Sequence, residues 1–421
     1  MQYFSFFGKL KFRIIDLLRG TSILPVLEEL HQQQYLPAEE LERIRQQKLD
    51  RLFALAKNKT AYYRQYADYS ELPMLTKNIV RHQATAFAVE GNKKKLFKKT
   101  TGGSTGEPFS YYSTALSQSY VWAGLLLSWE AAGYRLGNRV AFIAGSSIIK
   151  SGWQYRLFYW LMNVELLYAS PLNDEVMADY VQKLRQQKTA IIYGYANTIQ
   201  TLAHYIIRMG GITFPHLKAV VSTAELLTPA ARIIIEKAFG AKVFNQYGCN
   251  EAGISAFECE QGNMHLISTR CVYETAEDGC LLGTDLANEG YIMMKFNSTD
   301  LVQFGDSICA CNRHFPIIQS MVGRQTDILV DMDNNIIHAS FFGIVLDKDA
   351  SIRQFQIAYS NDAIEINIHS DTDGLQTFTH RYLPMLRQHT IFKHYSIVLN
   401  APFISNQNDK HKEVVDKRVK I

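Results

Sequence analysis

The chain has 421 residues, of which 47% are hydrophobic and 20% are charged, and its formal net charge is +4. This composition is typical of an ordinary globular protein and excludes the disordered and fibrous classes, and the length is enough for more than one domain. A net charge this small gives no support to nucleic-acid binding, which needs a clustered basic face.

The sequence also bears on membranes and secretion. No apolar run reaches the roughly 18 to 20 residues needed to span a bilayer. Residues 1–18 lack the small-residue cleavage site of a signal peptide, so we expect a cytoplasmic protein. The same residues mix Phe, Leu and Ile with Lys and Arg, which leaves a helix lying at a membrane surface as an alternative.

The first part of the chain has a helical pattern. Apolar residues between Leu36 and Ala67 recur at helical spacing, and Pro37 followed by Glu39 and Glu40 is a favourable helix start. The sequence therefore predicts a helical arm over residues 1–70, ahead of the main body.

From Thr114 onward, predicted helices alternate with short β-branched runs. Strands are expected at residues 140–144, 164–168, 190–193, 219–222 and 243–246. Helices are expected at residues 115–132, 174–187, 196–209 and 229–239. This alternation indicates parallel sheets covered by helices on both faces. Ligands bind such sheets at the carboxyl ends of the strands, so the loops after Ser222 and Gln246 are candidate site loops.

Beyond Gly279 the pattern becomes β-rich, and near Gly323 a new unit begins. Strands are expected at residues 290–294, 307–309, 354–359 and 364–369, with a turn at 331–335 and a helix around 375–388. We therefore expect an α/β fold. Its large N-terminal domain, residues 71–323, has parallel sheets flanked by helices and a β-rich subdomain, and residues 324–421 form a small α+β C-terminal domain.

Residues 100–108 form a glycine-rich stretch, Thr-Thr-Gly-Gly-Ser-Thr-Gly-Glu-Pro. Alternating hydroxyls and glycines let backbone N–H groups and side-chain donors converge on an oxyanion. The lysines between Lys93 and Lys99 add positive charge beside it. No Gly-Lys-Ser/Thr follows, which disfavours a P-loop nucleotidase. The alternative is a flexible solvent loop, and these residues alone do not decide between the two.

A second motif follows the strand predicted at residues 243–246. Tyr247 stands at the strand end, where an aromatic ring can stack on a purine. Glu251, four residues later, can hold a magnesium ion that bridges phosphates.

Together the two motifs resemble the adenylate-forming (acyl-activating) superfamily, and within it the phenylacetate:CoA ligase and capsule-biosynthesis group. Further matches follow in the family's order. Residues 222–227 match its turn beside the adenine, residues 304–306 its ribose-binding Thr-Gly-Asp, and residues 323–327 its hinge. Lys410 falls where the family has a C-terminal lysine. The resemblance covers the chain from about Leu72 to its end.

The chain departs from the family pattern at several of these positions. Asn250 replaces a threonine, Thr326 the first hinge aspartate, and Asp409 the glycine before the lysine, while residues 302–304 replace Tyr-Arg-Thr. These changes put ribose and carboxylate contacts and the hinge energetics in doubt.

The resemblance implies a two-step, AMP-forming acid–thiol ligase with a mobile C-terminal domain. A carboxylate attacks the α-phosphorus of ATP to give an acyl-adenylate and pyrophosphate, and a thiol, CoA, then displaces AMP. Lys410 would bridge the carboxylate and the α-phosphate, and Glu251 would carry Mg²⁺. The implied nucleotide-binding residues are Thr101, Gly102, Gly103, Ser104, Thr105, Gly106, Ala224, Glu225, Asn245, Tyr247, Gly248, Asp306 and Arg324.

Each of these residues also has a plainer interpretation. Lys410 can be a solvated tail lysine, Tyr247 a core residue at a strand end, and Glu251 a carboxylate at a helix N-terminus. Asp306 can cap a turn, and Arg324 can pair with a surface carboxylate.

The six cysteines do not form a disulfide framework, but four residues suit a metal. Cys259, His265, Cys309 and Cys311 supply three thiolates and one imidazole, the ligand set of a closed structural zinc site. Some members of the group that the chain resembles have a similar cluster. The alternative is a set of ordinary buried cysteines with a hydrogen-bonded histidine.

The sequence does not identify the acid or the acceptor. Aromatic and small residues can line a pocket for an aromatic or medium-chain acid, although core packing is the better interpretation for each one; they are Tyr134, Trp153, Tyr193, Tyr195 and Ala224. The acceptor is CoA or, alternatively, a carrier-protein thiol or an amine. A third alternative is a zinc-stabilised nucleotide-binding protein that has lost catalysis. The helical arm and the resemblance favour a homodimer.

Overall fold

A computed structural model gives the structure of the chain. The residues that it describes are 2–101, 109–145, 148–169, 172–305, 308–324, 328–333, 335–338, 342, 346, 349, 351–370, 374–404 and 414–418. The helices are α1 (Gln2–Arg19), α2 (Ile23–Gln33), α3 (Ala38–Lys59), α4 (Lys77–His82), α5 (Ala115–Ala131), α6 (Trp153–Leu161), α7 (Asp174–Gln186), α8 (Ala196–Arg208), α9 (Pro229–Phe239) and α10 (Leu375–His389). Short 3₁₀ turns lie at Tyr63–Gln65, Tyr69–Glu71, Ala84–Phe87 and Asn250–Ala252.

The strands of the large domain are β1 (Leu96–Thr101), β2 (Phe109–Thr114), β3 (Val140–Ala144), β4 (Val164–Tyr168), β5 (Ile191–Tyr195), β6 (Ala219–Thr223), β7 (Lys242–Cys249), β8 (Ile254–Glu258), β9 (Met264–Leu266), β10 (Cys271–Thr275), β11 (Cys280–Asp285), β12 (Phe296–Gly305) and β13 (Ile317–Arg324). Those that follow are β14 (Ile328–Val330), β15 (Ile336–His338), β16 (Ile352–Tyr359), β17 (Ala363–Ser370), β18 (His394–Leu399) and β19 (Val414–Asp416).

One eleven-stranded sheet organises the large domain, in the order β10-β11-β12-β13-β9-β8-β7-β6-β5-β3-β4. Strands β3 to β7 run parallel to one another, and β8 onward pair antiparallel. Successive residues of β5 enter different cores: Tyr193 packs with Trp129 of α5, and Ile192 packs with Ile199 of α8 and Ile235 of α9. The predicted α/β class, with helices on both faces of a parallel sheet, is confirmed.

In the part of the chain where strands and helices alternate, capping residues mark the ends of the helices. Asn173 caps α7 by accepting the N–H of Val176, and Thr228 caps α9, in which Pro229 occupies the first turn. Gly240 ends α9 with a φ of +62°, in the left-handed region that favours glycine. Side-chain caps of this kind fix the ends of helices to within a residue or two of the predicted bounds.

Helix α3 begins after Pro37, as expected, but helices α1 and α2 do not stand apart from the body. Phe12 of α1 and Leu27 of α2 pack into the same core as α5 and the parallel strands. The Nζ of Lys48, on α3, donates to the backbone carbonyl of Thr269 at 3.1 Å. Within residues 1–70, α1 and α2 thus contribute to the core that they share with α5.

The β-rich part differs from the prediction at residues 290–294, which form no strand. Those apolar residues are buried, but their backbone groups bond to 3₁₀ turns: Ile292 N–H donates to the carbonyl of Phe87, and Met294 N–H to the hydroxyl of Tyr63. The strand comes later, as β12. Within the predicted strand at 307–309, Ser307 lies outside the described residues, and Ile308 and Cys309 lie outside any strand.

The C-terminal region has its own core. Antiparallel strands β16 and β17 are flanked by β19 and β18, which pair with them in parallel, and α10 packs on the sheet. The predicted turn joins β14 to β15, and the carboxylate of Asp331 accepts the N–H groups of Asp333 and Asn335 at 3.0 and 2.9 Å. The predicted small α+β unit is thus observed.

Candidate functional site

The candidate site lies at the carboxyl edge of the parallel strands. Strands β6 and β7 are neighbours in register, with Ser222 opposite Asn245 and Thr223 opposite Gln246. Ala224 follows β6 directly, so the fold brings the two predicted site loops side by side. This is the edge at which open parallel sheets bind ligands.

A hydrogen-bonded amide organises this edge. The side-chain Oε1 of Gln246 accepts hydrogen bonds from the hydroxyls of Thr223, at 2.6 Å, and Tyr193, at 3.1 Å. These bonds join three neighbouring strands and fix the chain direction just before Tyr247. The pairing of Thr223 with Gln246 could not be predicted from the sequence, because a polar residue at a strand end carries no signal of its partner.

The residues that follow β6 have distinct local roles. Ala224 is exposed and has a φ of +65°, a left-handed conformation that is uncommon without glycine. The carboxylate of Glu225 accepts the N–H of Asn197 at 3.0 Å, in the first turn of α8. A carboxylate there is stabilised by the helix dipole. Nucleotide contacts for Ala224 and Glu225 stay predictions.

Tyr247 is anchored by its hydroxyl, which donates to the carboxylate of Asp300 at 2.6 Å. Burial and the Asp300 charge raise the pKa of Tyr247, so the phenol stays protonated. Asn245 is fixed through its backbone N–H, which donates to Glu258 at 2.7 Å. Gly248 between Tyr247 and Glu251 is exposed.

Glu251 lies in the 3₁₀ turn that follows β7 and is only 9% exposed. Within the described part of the chain, no residue donates a hydrogen bond or an ion pair to its carboxylate. Burial first and then the Glu251 charge raise the pKa values of Tyr111 and Cys249. A buried carboxylate without a donor among the described residues fits a cation ligand.

Gly253 closes the turn that carries Glu251. Its φ is +71°, and a Cβ there would lie 2.4 Å from the Cα of Asp285. We expect Gly253→Ala to destabilise the protein by about 2–3 kcal/mol, because strain and a backbone clash add.

The matched control for Gly253→Ala is Gly240→Ala, where φ is also positive but nothing lies within 4 Å of the added Cβ. That substitution should cost about 1 kcal/mol. Urea unfolding of both variants measures the difference, and equal losses would contradict the close approach of Gly253 to Asp285.

The glycine-rich stretch joins β1 to β2. The two strands pair antiparallel, with Thr101 opposite Phe109. Residues Gly102, Gly103, Ser104, Thr105 and Gly106 lie outside the described residues, as does the side chain of Thr101. Tyr111, on β2, belongs to the same hydrophobic core as Cys249 and Ala252, which flank the position of Glu251 in the chain, so the strand that follows the predicted phosphate loop shares a core with the turn that carries the predicted magnesium ligand.

Three further predicted site residues lie wholly or partly outside the described residues. Asp306 and Lys410 lie outside the described residues, and so does the side chain of Arg324. The backbone of Arg324 pairs with Asp300, whose carboxylate binds Tyr247. The predicted hinge arginine thus belongs to the strand beside the Tyr247 anchor.

The aromatic residues considered for an acid pocket have other surroundings. Tyr134 and Tyr193 pack edge-on against Trp129, with ring centroids 5.4 Å apart in each case, and Tyr195 is fully buried in the same core. Trp153 is 73% exposed on α6. The three tyrosines are therefore core residues.

The four predicted metal ligands come together. Cys259, His265, Cys309 and Cys311 are buried or nearly so, and their ligand atoms all lie within 4.8 Å of one another. The Sγ atoms of Cys259 and Cys309 are 3.6 Å apart, and Sγ of Cys311 is 3.3 Å from Nε2 of His265. A disulfide needs about 2.05 Å between sulfurs, whereas tetrahedral zinc with about 2.3 Å bonds needs sulfurs about 3.8 Å apart.

Neighbouring groups prepare these ligands for a metal. Nδ1 of His265 donates to the carbonyl of Phe315 at 2.9 Å, which leaves Nε2 facing the sulfurs as an acceptor. Burial raises the pKa of Cys309, but hydrogen bonds from Cys311 and from the Asn263 amide outweigh it and lower that pKa to about 6. The contributions of Asn263 and Phe315 could not be found from sequence spacing.

The fold defines a structural class. A large mixed sheet flanked by helices, followed by a smaller α+β C-terminal unit, is also the fold of solved acyl-CoA ligases. Comparisons with known proteins agree.

Two solved structures illustrate the likeness. A crystal structure of 2-hydroxyisobutyryl-CoA ligase with R3-HIB-AMP aligns with a TM-score of 0.70, at 18% identity over 92% of this chain and 91% of that one. The anthranilate CoA ligase AuaEII with anthranoyl-AMP aligns with a TM-score of 0.50, at 12% identity over 76% and 68% of the two chains.

A curated relative adds sequence similarity. Protein CapK of Staphylococcus aureus is 25% identical over 280 residues, which are 64% of this chain and 62% of that protein, so the match spans less than two thirds of the relative's length. No protein-family model matches the sequence. The chain therefore shares the fold of these CoA ligases, as the resemblance predicted.

Proposed function

We propose that the protein is an ATP-dependent acyl-activating ligase. In the first step, a carboxylate oxygen of the substrate attacks the α-phosphorus of ATP, and pyrophosphate leaves with the electron pair of the broken P–O bond. In the second step, a thiol sulfur attacks the acyl carbon, its proton passes to solvent, and AMP leaves.

The buried carboxylate of Glu251 is the main support for this proposal. It is a buried carboxylate with no described donor, it lies at the ligand-binding edge of the sheet, and the fold is one in which related ligases hold acyl-adenylates. Mg²⁺ bound there would neutralise phosphate charge. The chain's own part is to hold the nucleotide: Tyr247, fixed by Asp300, presents its ring for the adenine.

The remaining roles rest on the motifs. We propose that Ser104, Thr105 and the neighbouring glycines donate to the β- and γ-phosphates, that Asp306 accepts the ribose hydroxyls, and that Arg324 contacts the nucleotide. Lys410 would place its ammonium between the carboxylate and the α-phosphate. A compact charge on a flexible stem suits a group that arrives with a mobile domain, because catalysis here is mainly placement and charge neutralisation.

CoA is the acceptor that we propose. Both solved structures described above are CoA ligases by name. A carrier-protein thiol or an amine is the alternative acceptor, and the substitutions at Asn250, Phe304 and Thr326 favour a third possibility, a nucleotide-binding protein without catalysis. Release of AMP with free CoA, compared with release without it, separates CoA from the other acceptors.

The direct test of the first step is ATP–pyrophosphate exchange across a panel of aromatic and short-chain carboxylic acids. We expect exchange that depends on both an acid and Mg²⁺. Lys410→Ala should lower it at least about tenfold, whereas Lys412→Ala, two residues away, should not. Tight ATP binding without exchange for any acid would support the non-catalytic alternative instead.

We further propose that Cys259, His265, Cys309 and Cys311 hold a structural Zn²⁺. The support is geometric: four buried soft ligands at tetrahedral spacing, with the histidine tautomer set by Phe315. Such a site would stabilise the strands that contribute to it, since Cys259 follows β8 and His265 lies on β9.

A further inference from the structure

Helix α1 has two apolar faces. Phe12 and Ile15 are buried against the body, and Gly8 allows close approach, since a Cβ there would lie 2.5 Å from the backbone of Leu136. The apolar residues on the other side of the helix are exposed to solvent, and the exposed fraction of Leu17 is 83%. They are Phe6, Phe7, Leu10, Ile14, Leu17 and Leu18. At 100° per residue these six positions fall within an arc of roughly 120°. A surface helix that only packs on its own protein carries polar residues there.

Cations border this exposed arc on both sides. By the same helical geometry, Lys9 and Arg13 lie along one edge, and Lys11 lies along the other. The acidic residue of the helix, Asp16, is already engaged, because its carboxylate accepts hydrogen bonds from the hydroxyl of Thr21 and from the N–H groups that begin α2. The outward face is therefore apolar in the middle and positive at its edges.

Helix α6 extends the same surface. Its Trp153 and Trp160 are 73% and 66% exposed, and Nζ of Lys11 lies 5.6 Å from the centre of the Trp160 ring, which joins the two helices. Tryptophans beside cations are typical of the boundary between lipid headgroups and acyl chains.

We propose that this surface, formed by α1 and α6, docks on the headgroup region of an anionic lipid bilayer. Apolar side chains would enter the acyl boundary, and the flanking lysines and arginines would contact lipid phosphates. The attachment is peripheral: across the described residues, no helix is long and apolar enough to cross a membrane.

Charge favours a bilayer over a second copy of the chain as the occupant. In a two-fold symmetric contact the same patch meets itself. Lys9, Lys11 and Arg13 of one copy would then approach those of the other, which is unfavourable. An anionic lipid surface supplies the opposite charge.

Vesicle flotation tests the proposal on the full-length protein. We expect the wild type to float with vesicles of phosphatidylcholine containing about a third phosphatidylglycerol, and to bind pure phosphatidylcholine at least about tenfold more weakly. The double variant Leu17→Glu/Leu18→Glu should lower binding to the anionic vesicles by about tenfold or more. The matched control is Ile233→Glu, because Ile233 is 65% exposed on α9, and it should bind as the wild type does.

Two results would overturn the proposal. One is a wild type that does not float with anionic vesicles, or floats equally after the double substitution. The other is a dimer, seen by light scattering, that the double substitution dissociates while vesicle binding is absent, since the surface would then be a self-interface. Pyrophosphate exchange by the same variants gives an independent check of folding.

Discussion

Glu251→Gln is expected to lower ATP–pyrophosphate exchange by about two to three orders of magnitude. The amide keeps the shape of the side chain but removes the negative charge that would hold Mg²⁺ beside the phosphates. The free protein should keep its stability or gain some, because the substitution removes a buried charge without a described partner. Exchange kinetics at varied Mg²⁺, together with urea unfolding, measure both effects.

Opposite changes in activity and stability would identify Glu251 as a functional carboxylate. If it only supported the turn, both quantities would fall together. The control is Glu277→Gln, since Glu277 is exposed in the turn between β10 and β11 and should leave exchange and stability unchanged. Normal exchange by Glu251→Gln would contradict the magnesium role of Glu251 and leave the ligase proposal in place, because exchange is itself the adenylation step.

The parallel half of the sheet could be predicted from the sequence, because its local signals agree. Residues 140–144 and 164–168 were bounded correctly, since both are short apolar runs, rich in β-branched and leucine residues, between clear helix signals. Helix α9 was also bounded correctly, from Pro229 at its start and Gly240 at its end. Here propensity, capping and burial point to one structure.

Burial alone misled the prediction at residues 290–294. Tyr291 and the three residues that follow it are buried, but an apolar run does not show whether its backbone pairs with a strand or with turns. Ile292 bonds to Phe87, and Met294 bonds to Tyr63. Each partner lies more than two hundred residues earlier in the chain. The packing of α1 and α2 against α5 also joins residues that are far apart in the chain, so local sequence patterns did not predict it.

At the candidate site, too, some features could be predicted from the sequence and others could not. The position of Glu251 just after β7 could be predicted, but β7 extends to Cys249, so Tyr247 lies within the strand and not at its end as expected. The hydrogen bonds that orient Tyr247 could not be predicted. Asp300 reaches Tyr247 from a strand 53 residues away, and Gln246 is held by two other strands. Such pairings depend on sheet order, which no local pattern in this sequence specifies.

Cys309→Ser is expected to abolish metal binding and to lower the free energy of unfolding by several kcal/mol. The purified wild type should contain about one Zn²⁺ per chain, because binding energy at a closed site adds directly to folding. Elemental analysis measures the metal, and unfolding with and without a chelator measures its contribution. The chelator should destabilise the wild type and have no further effect on the variant.

A serine hydroxyl in a buried place also costs free energy, so a matched control is needed. Cys280→Ser places the same hydroxyl at a buried cysteine on β11, outside the cluster, and should keep the zinc with a loss of about 1–3 kcal/mol. The difference between the two variants isolates the metal. A wild type without zinc, or a chelator that changes neither protein, would mean that the four residues stabilise this part of the sheet by packing alone. The contacts of 3.6 Å between Cys259 and Cys309 and of 3.3 Å between Cys311 and His265 would then be thiol hydrogen bonds.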